Sequence, residues 1–153
     1  DSVSSVRHGG LYSYTGGGPN KAMTASGMFC RQLDLVPPTD PRMPEGAEYL
    51  GRHSFDKNPD YYFVYYATLA LYQHQGAVWQ EWNDKLKDIF PRIQKTVGTE
   101  RGSWDPGGQH ARTGGRVLST TLSVLSLEVY YRLLPMYGFR GADNLPAAQQ
   151  RNN

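Results

Sequence analysis

The residues best placed to do chemistry lie in one glycine-rich loop. In the stretch RGSWDPGGQHARTGGR, His110, Arg112 and Arg116 surround several glycines directly before an apolar run. Backbone N–H groups at the start of a helix, together with the positive end of the helix dipole, bind carboxylates and phosphates. The loop therefore predicts either an anion-binding site at residues 107–116 or a structural turn whose arginines meet water. No Gly-Lys-Ser/Thr follows the glycines, so the loop is not a P-loop.

The other titratable residues do not have the spacing of a catalytic or metal centre. Asp84 and Asp88 are four residues apart on the polar face of a predicted helix, which is typical of a solvated surface. Cys30 lies in an apolar run and is predicted to be a small buried side chain. The histidines also lack ligand spacing; they are His8, His53, His74 and His110. We therefore predict no catalytic residue, no metal and no cofactor.

Two further groups of residues leave alternatives open. Glu128 and Arg132 are four residues apart in the favourable order for an ion pair. They form either a partly buried charge pair between helices or a site with a catalytic carboxylate. Tyr62 and Tyr66 belong to a tyrosine-rich run. Their rings either pack in the core or line a ligand cavity, where aromatic faces stabilise positive charge.

Size and composition exclude several classes of protein. The chain has 153 residues, which is the size of one domain or of part of one. A net charge of +2 without a basic block does not predict nucleic-acid binding. A single cysteine excludes an internal disulfide, and no apolar run reaches the roughly 18 to 20 residues of a membrane span. Because the chain begins with Asp1, we expect a processed form or a piece of a longer protein, and no feature indicates its compartment.

The hydrophobic pattern predicts an all-α fold. Helices are expected at about residues 21–35, 61–75, 77–94 and 115–134, and alternation with period two is absent. Asn58, Pro59 and Asp60 predict the second helix start, with Asn58 as cap and Pro59 in the first position. Four prolines predict a loop over residues 37–46, and a short helical turn after it stays open. Pro91 is expected to kink the third helix or end it early. Residues 1–140 form the domain, and residues 141–153 form a polar, frayed tail.

The helices alternate in character, and a weak repeat accompanies them. Residues 61–75 are apolar nearly all round, whereas residues 77–94 carry a single apolar stripe, which predicts an inner and an outer layer. Gly10 and Tyr12 precede glycines and a helix rich in small residues. Gly102 and Trp104 precede a second such series. A repeat of this kind predicts units that stack on one another.

This repeat resembles the Gln/Trp motif of the terpenoid-cyclase and protein-prenyltransferase superfamily. Gln94, Gly102 and Trp104 match the motif, and Gly10 and Tyr12 match it with tyrosine for tryptophan. The layout is similar from about residue 9 to residue 137, and several stretches look especially like squalene-cyclase-like bacterial proteins. The resemblance implies helical hairpins that close into an α/α toroid. Only about three inner helices are expected here, which implies a partial toroid, and the spacing from Gln94 to Gly102 is longer than in the motif.

The motifs that carry the family's reactions are absent from this chain. There is no Asp-x-Asp-Asp acid motif, no Cys-Gly-Glu-Gln thioester motif, and no aspartate two residues from Cys30 to complete a zinc set. The sequence therefore favours a non-catalytic module that binds a protein partner or a small apolar or anionic ligand. Two alternatives stay open: an isoprenoid-processing enzyme whose catalytic half lies outside this chain, and an anion site at residues 107–116. An incomplete ring also predicts self-association or a missing half-domain.

Overall fold

Five helices make up the fold. The computed structural model describes residues 8–15, 17–55 and 58–136, without the side chains of Ala111 and Arg112. The helices are α1 (Lys21–Leu33), α2 (Arg42–Gly51), α3 (Tyr61–His74), α4 (Gly76–Ile93) and α5 (Ala111–Arg132). The described residues contain no strand, which confirms the all-α prediction. The polar tail at residues 141–153 lies outside them.

The helices form two layers with α3 at the centre. α3 packs between α1 and α5, and α2 and α4 pack together behind them. α3 is buried over most of its circumference because all four other helices contact it, whereas α4 buries one stripe that includes Trp79, Trp82 and Leu86. The predicted difference between inner and outer helices is therefore observed.

The inner helices run parallel to one another. Lys21 at the start of α1 lies over the ring of Phe63 near the start of α3, at 4.7 Å from the ring centroid. Near the other end, the Nε2 of Gln32 donates to the carbonyl of Ala70 at 2.9 Å. α5 has the same direction, because its end is bound to the end of α3 through the hydroxyl of Tyr72.

The outer helix α4 runs in the opposite direction. Trp79 near its start contacts the ring of Tyr72 near the end of α3. Phe90 near its end contacts Tyr61 at the start of α3. Between these contacts, the indole N–H of Trp82 donates to the buried Thr68 hydroxyl at 2.9 Å. α3 and α4 are therefore an antiparallel hairpin with an aromatic interface.

The structure corrects the predicted loop at residues 37–46. α2 begins at Arg42 and contains Pro44. Pro44 is tolerated because it lies in the first turn, where backbone N–H groups have no helical acceptor to lose. Gly46 then lets α1 approach closely, since a Cβ there would lie 3.3 Å from the sulfur of Met28.

Several helix ends also differ from the prediction. Asp60, not Asn58, caps α3, and the helix begins at Tyr61 beyond Pro59. α4 does not stop at Pro91 but continues to Ile93. α5 begins at Ala111 and passes Gly115, whose backbone is non-helical with φ 54° and ψ −153°. The long uninterrupted part of α5 therefore starts close to the predicted position.

Cys30 is exposed, so the prediction of a buried thiol is wrong. The buried face of α1 consists of Thr24, Ala25, Met28 and Gln32. Cys30 points away from that face because it is two residues, or about 200° of helical rotation, from both Met28 and Gln32.

His74 provides a test of the packing at the end of α3. Burial lowers the pKa of His74 below its ordinary value of 6.5, and its Nδ1 has no hydrogen-bond partner among the described residues. As the pH falls through 6.5, the unfolded chain binds a proton at this site before the folded chain does, so stability decreases. Urea titrations above and below pH 6.5 measure this decrease in the free energy of unfolding. We expect the decrease to be smaller for His74→Phe than for the wild type. Equal losses would show that His74 is not buried as a neutral ring.

Candidate functional site

The glycines of the loop before α5 allow a close approach of backbones. A Cβ at Gly107 would lie 2.7 Å from the carbonyl oxygen of Pro59, and one at Gly108 would lie 2.6 Å from the Cα of Asp60. Gly108 also has a φ of +74°, which L side chains rarely adopt. The loop therefore packs directly on the segment that starts α3, and these glycines are explained without a phosphate.

Arg116 lies at this loop and is bound by carboxylates of the chain itself. Its guanidinium is 2.9 Å from Glu100 and 2.7 Å from Asp105, and it also donates to the hydroxyl of Ser103. Lys95 approaches Asp105 from the other side at 2.7 Å. Hydrogen bonds from Lys95 and then from Arg116 lower the pKa of Asp105. The two cations and two carboxylates balance, so an incoming anion would have to compete with Glu100 and Asp105.

The turn between α4 and α5 is held by the residues of the repeat motif. The Nε2 of Gln94 donates to the carbonyl of Gly102 at 3.0 Å, and Gly102 has a φ of +85°. Two backbone hydrogen bonds join Lys95 to Gly102 and Ser103 across the intervening residues. The spacing between Gln94 and Gly102 is longer than in the motif, but these backbone hydrogen bonds close the extra residues into a loop. The contact of Gln94 with Gly102 is therefore kept.

Trp104 connects the outer helix to the next inner helix. Its side chain is buried, and its indole N–H donates to the carbonyl of Phe90 in α4 at 2.9 Å. Its backbone N–H donates to the hydroxyl of Thr120 in α5 at 3.2 Å. The residue therefore links α4 and α5 through two hydrogen bonds at the end of the α4–α5 turn.

The first copy of the motif has the same backbone contact. The N–H of Tyr12 donates to the hydroxyl of Thr24 in α1 at 3.0 Å, as the N–H of Trp104 does to Thr120. The ring of Tyr12 lies against Gly27, where a Cβ would come within 2.4 Å of it. The N–H of Gly10 donates to the carboxylate of Glu45 at 2.7 Å. In each segment the aromatic residue therefore donates the same kind of hydrogen bond to a threonine of the inner helix that follows. The two segments differ in burial, since Tyr12 is half-buried and Trp104 is buried.

Three of the predicted ligand residues come together on the open side of α3. The ring of Tyr62 lies 4.8 Å from that of Tyr66 and 4.8 Å from that of His110. Tyr65 extends the group, with its centroid 5.3 Å from that of Tyr66. The tyrosines are half-buried and His110 is exposed. We call Tyr62, Tyr66 and His110 the tyrosine face. Burial, followed by the neighbouring Tyr62, raises the pKa of Tyr66.

The remaining predicted residues do not join this face. Arg116 is committed to the ion pairs described above, and the side chain of Arg112 lies outside the described part of the structure. Glu128 and Arg132 form an ion pair at 2.9 Å with side chains 43% and 61% exposed. The expectation of a partly buried pair is therefore wrong, because this side of α5 faces away from the other helices.

A relation between Cys30 and the tyrosine face could not be predicted from the sequence. Burial and the neighbouring tyrosines raise the pKa of Tyr66, and Cys30 adds to this effect. Cys30 is on α1 and Tyr66 is on α3, so only the packing of the two helices brings them together. The exposed thiol offers a position for a spectroscopic label beside the tyrosines.

Comparison with known proteins identifies no relative. No family model, no curated protein and no solved structure matches the chain. None of the described helices is both long and apolar enough to cross a membrane. The described residues contain no cluster of three or more side chains suited to bind a metal ion.

Proposed function

We propose that this chain is a non-catalytic binding module that holds a small apolar ligand on the tyrosine face. The observation that carries the proposal is the convergence of Tyr62, Tyr66 and His110 on the open side of α3. Aromatic rings with polar tips bind apolar groups over their faces and orient them through a few hydrogen bonds. This function requires no acid, nucleophile or metal.

We infer that the scaffold is an open array of α/α hairpins that resembles part of a terpenoid-cyclase or prenyltransferase toroid. The parallel inner helices, the antiparallel outer helix α4 and the paired contacts of Tyr12 and Trp104 support this inference. Two residues of the tyrosine face, Tyr62 and Tyr66, lie on the inner helix α3, and His110 directly precedes α5. Fold alone does not carry function, so the proposal rests on the side chains of that face.

Charge distinguishes an apolar ligand from an anionic one. The glycine loop before α5 supplies Arg116, but Glu100 and Asp105 already neutralise it. Asp60 also lies against Gly108 and adds a carboxylate near the loop. An anion at this place would have to compete with these carboxylates for Arg116, whereas the contacts within the tyrosine face are between rings.

If the tyrosine face holds an apolar ligand, a neutral isoprenoid alcohol should bind. A diphosphate group on that alcohol should then add little to the affinity. In equilibrium dialysis, farnesol is expected to bind the wild type saturably, and inorganic diphosphate is expected not to bind. Tyr62→Ala and Tyr66→Ala should each weaken farnesol binding about tenfold, because a lost ring contact of about 1.4 kcal/mol corresponds to that ratio. Tyr14→Ala, which removes a ring that is 78% exposed, is the matched control and should bind as the wild type does.

Other outcomes would replace the proposal. Binding of farnesyl diphosphate and inorganic diphosphate, lost in Arg116→Ala, would support the anion site instead. Conversion of farnesyl diphosphate or squalene to a new product by the purified chain would show that the module is catalytic. Equal affinities in the wild type, Tyr62→Ala and Tyr66→Ala would remove the tyrosine face from consideration.

A further inference from the structure

The first residues of the described chain are bound along their backbone by side chains of two helices. The carboxylate of Glu45 on α2 accepts from the N–H of His8 at 3.1 Å and from the N–H of Gly10 at 2.7 Å. Between these two contacts, the guanidinium of Arg31 on α1 donates to the carbonyl of Gly9 at 2.9 Å. Three successive residues of an open backbone are therefore held by an acid of one helix and a base of another.

The aromatic residue of this segment has a fitted place on α1. The guanidinium of Arg31 lies over the ring of Tyr12 at 4.7 Å from its centroid, which is an attractive contact between a cation and an aromatic face. The other contact of the ring is with Gly27, which has no side chain to displace it. The N–H of Tyr12 donates to the buried hydroxyl of Thr24 at 3.0 Å. These contacts favour an aromatic side chain at this position.

Two other positions of the segment favour glycine. A Cβ at Gly10 would lie 2.3 Å from the carbonyl oxygen of Arg42, a main-chain atom of α2. Gly9 has a φ of +79°, which L side chains rarely adopt. Together with Tyr12, the bound segment has the pattern Gly-Gly-x-aromatic, in which Leu11 is the variable residue.

The segment can leave its place without unfolding a helix. The hydrogen bonds described above come from side chains, so their loss leaves the backbone bonds within α1 and α2 intact. Residues 13–19 join the segment to α1, and those that the structure describes are exposed. A Cβ at Gly17 or Gly18 would meet nothing within 4 Å. Local opening of such weakly packed segments requires less free energy than global unfolding.

We propose that the surface that holds this segment is a binding site for peptides of the pattern Gly-Gly-x-aromatic, and that residues 9–12 fill it as an intramolecular ligand. A peptide of another molecule makes the same contacts when the chain's own segment is away. The own segment competes at a high effective concentration and so controls access to the site. We call this site the α1–α2 groove; it consists of Thr24, Gly27, Arg31, Arg42 and Glu45. The tyrosine face shares no residue with it, so the two proposals are independent.

Gly10→Val in the full chain tests the proposal, because it excludes the chain's own segment and leaves the groove unchanged. A fluorescent, N-acetylated peptide of residues 8–15 should bind this variant saturably in anisotropy titrations. The wild type should bind it at least tenfold more weakly, because its own segment competes. The peptide carrying Gly10→Val should not bind. The peptide carrying Tyr14→Ala is the matched control and should bind normally, since Tyr14 is 78% exposed.

A second pair of variants locates the bound peptide. In the Gly10→Val chain, Glu45→Ala should weaken peptide binding about tenfold or more, because a carboxylate loses two N–H donors. Glu48→Ala on the same helix should leave the affinity unchanged, since Glu48 is 67% exposed and pairs with Arg52. No binding to a folded Gly10→Val chain, or equal binding by the Glu45→Ala and Glu48→Ala variants, would overturn the proposal.

Hydrogen exchange of the wild type decides the question even if Gly10→Val does not fold. The amide of Tyr12 should exchange through a local opening, at least tenfold faster than the amide of the buried Ala67 in α3 and at a rate that low urea concentrations leave unchanged. Exchange of Tyr12 only together with Ala67, by global unfolding, would make the segment a fixed part of the fold and contradict its role as a ligand.

Discussion

Replacing Trp104 by alanine is expected to lower the free energy of unfolding by about 3–5 kcal/mol. The side chain is buried between α4 and α5, and its removal leaves a cavity as well as the unpaired carbonyl of Phe90. A loss of this size is a large part of the total stability of a small domain. Urea unfolding followed by circular dichroism measures it.

Two controls separate the ring from its hydrogen bond. Trp104→Phe keeps most of the apolar area but loses the N–H, so we expect a smaller loss of about 1–2 kcal/mol. Tyr14→Ala removes an aromatic ring that is 78% exposed and should change the stability little. If Trp104→Ala were no worse than Tyr14→Ala, the turn from α4 to α5 would not be held by this residue.

The second large effect is expected at Gly108. Gly108→Ala places a methyl group 2.6 Å from the Cα of Asp60 in a backbone with φ +74°. We expect a loss of roughly 3 kcal/mol or more, because both the backbone strain and the clash with the start of α3 contribute. The nearest clashing atom is the Cα of Asp60, a main-chain atom that cannot move aside as the end of a flexible side chain does.

Gly98→Ala is the matched control for this substitution. Gly98 has nearly the same φ, +75°, but a Cβ there would meet nothing within 4 Å. We therefore expect Gly98→Ala to lose only about 1 kcal/mol, the usual cost of a left-handed backbone for an L residue. The difference between the two variants measures the close approach of the loop to α3. Equal losses would mean that this approach is absent in solution.

The sequence was sufficient to predict the main helices and their layers. The all-round apolar pattern of Tyr61–His74 indicates a helix with several neighbours, and the single stripe of Gly76–Ile93 indicates a helix with one buried side. Both patterns depend only on the spacing of side chains along one helix. α2 was missed because the four prolines around it suggest a loop, although Pro44 lies where a helix tolerates proline.

The candidate site was predictable only where its residues are close in sequence. Tyr62 and Tyr66 are four residues apart, so a helix places their rings side by side. The neutralisation of Arg116 could not be predicted, because Glu100 and Asp105 reach it through the fold of a glycine-rich loop. Position along the chain likewise did not show that Cys30 is exposed, since that depends on which side of α1 meets its neighbours.

The proposed binding of a small apolar ligand at the tyrosine face is tested most directly by nuclear magnetic resonance with labelled tyrosine rings. Assignment by Tyr62→Phe and Tyr66→Phe identifies the two signals, and farnesol is then added to the wild type. The proposal predicts saturable shifts at Tyr62 and Tyr66, with little change at the exposed Tyr14 and Tyr131. Signals of Tyr62 and Tyr66 that stay in place while farnesol binds elsewhere, or does not bind at all, would contradict it.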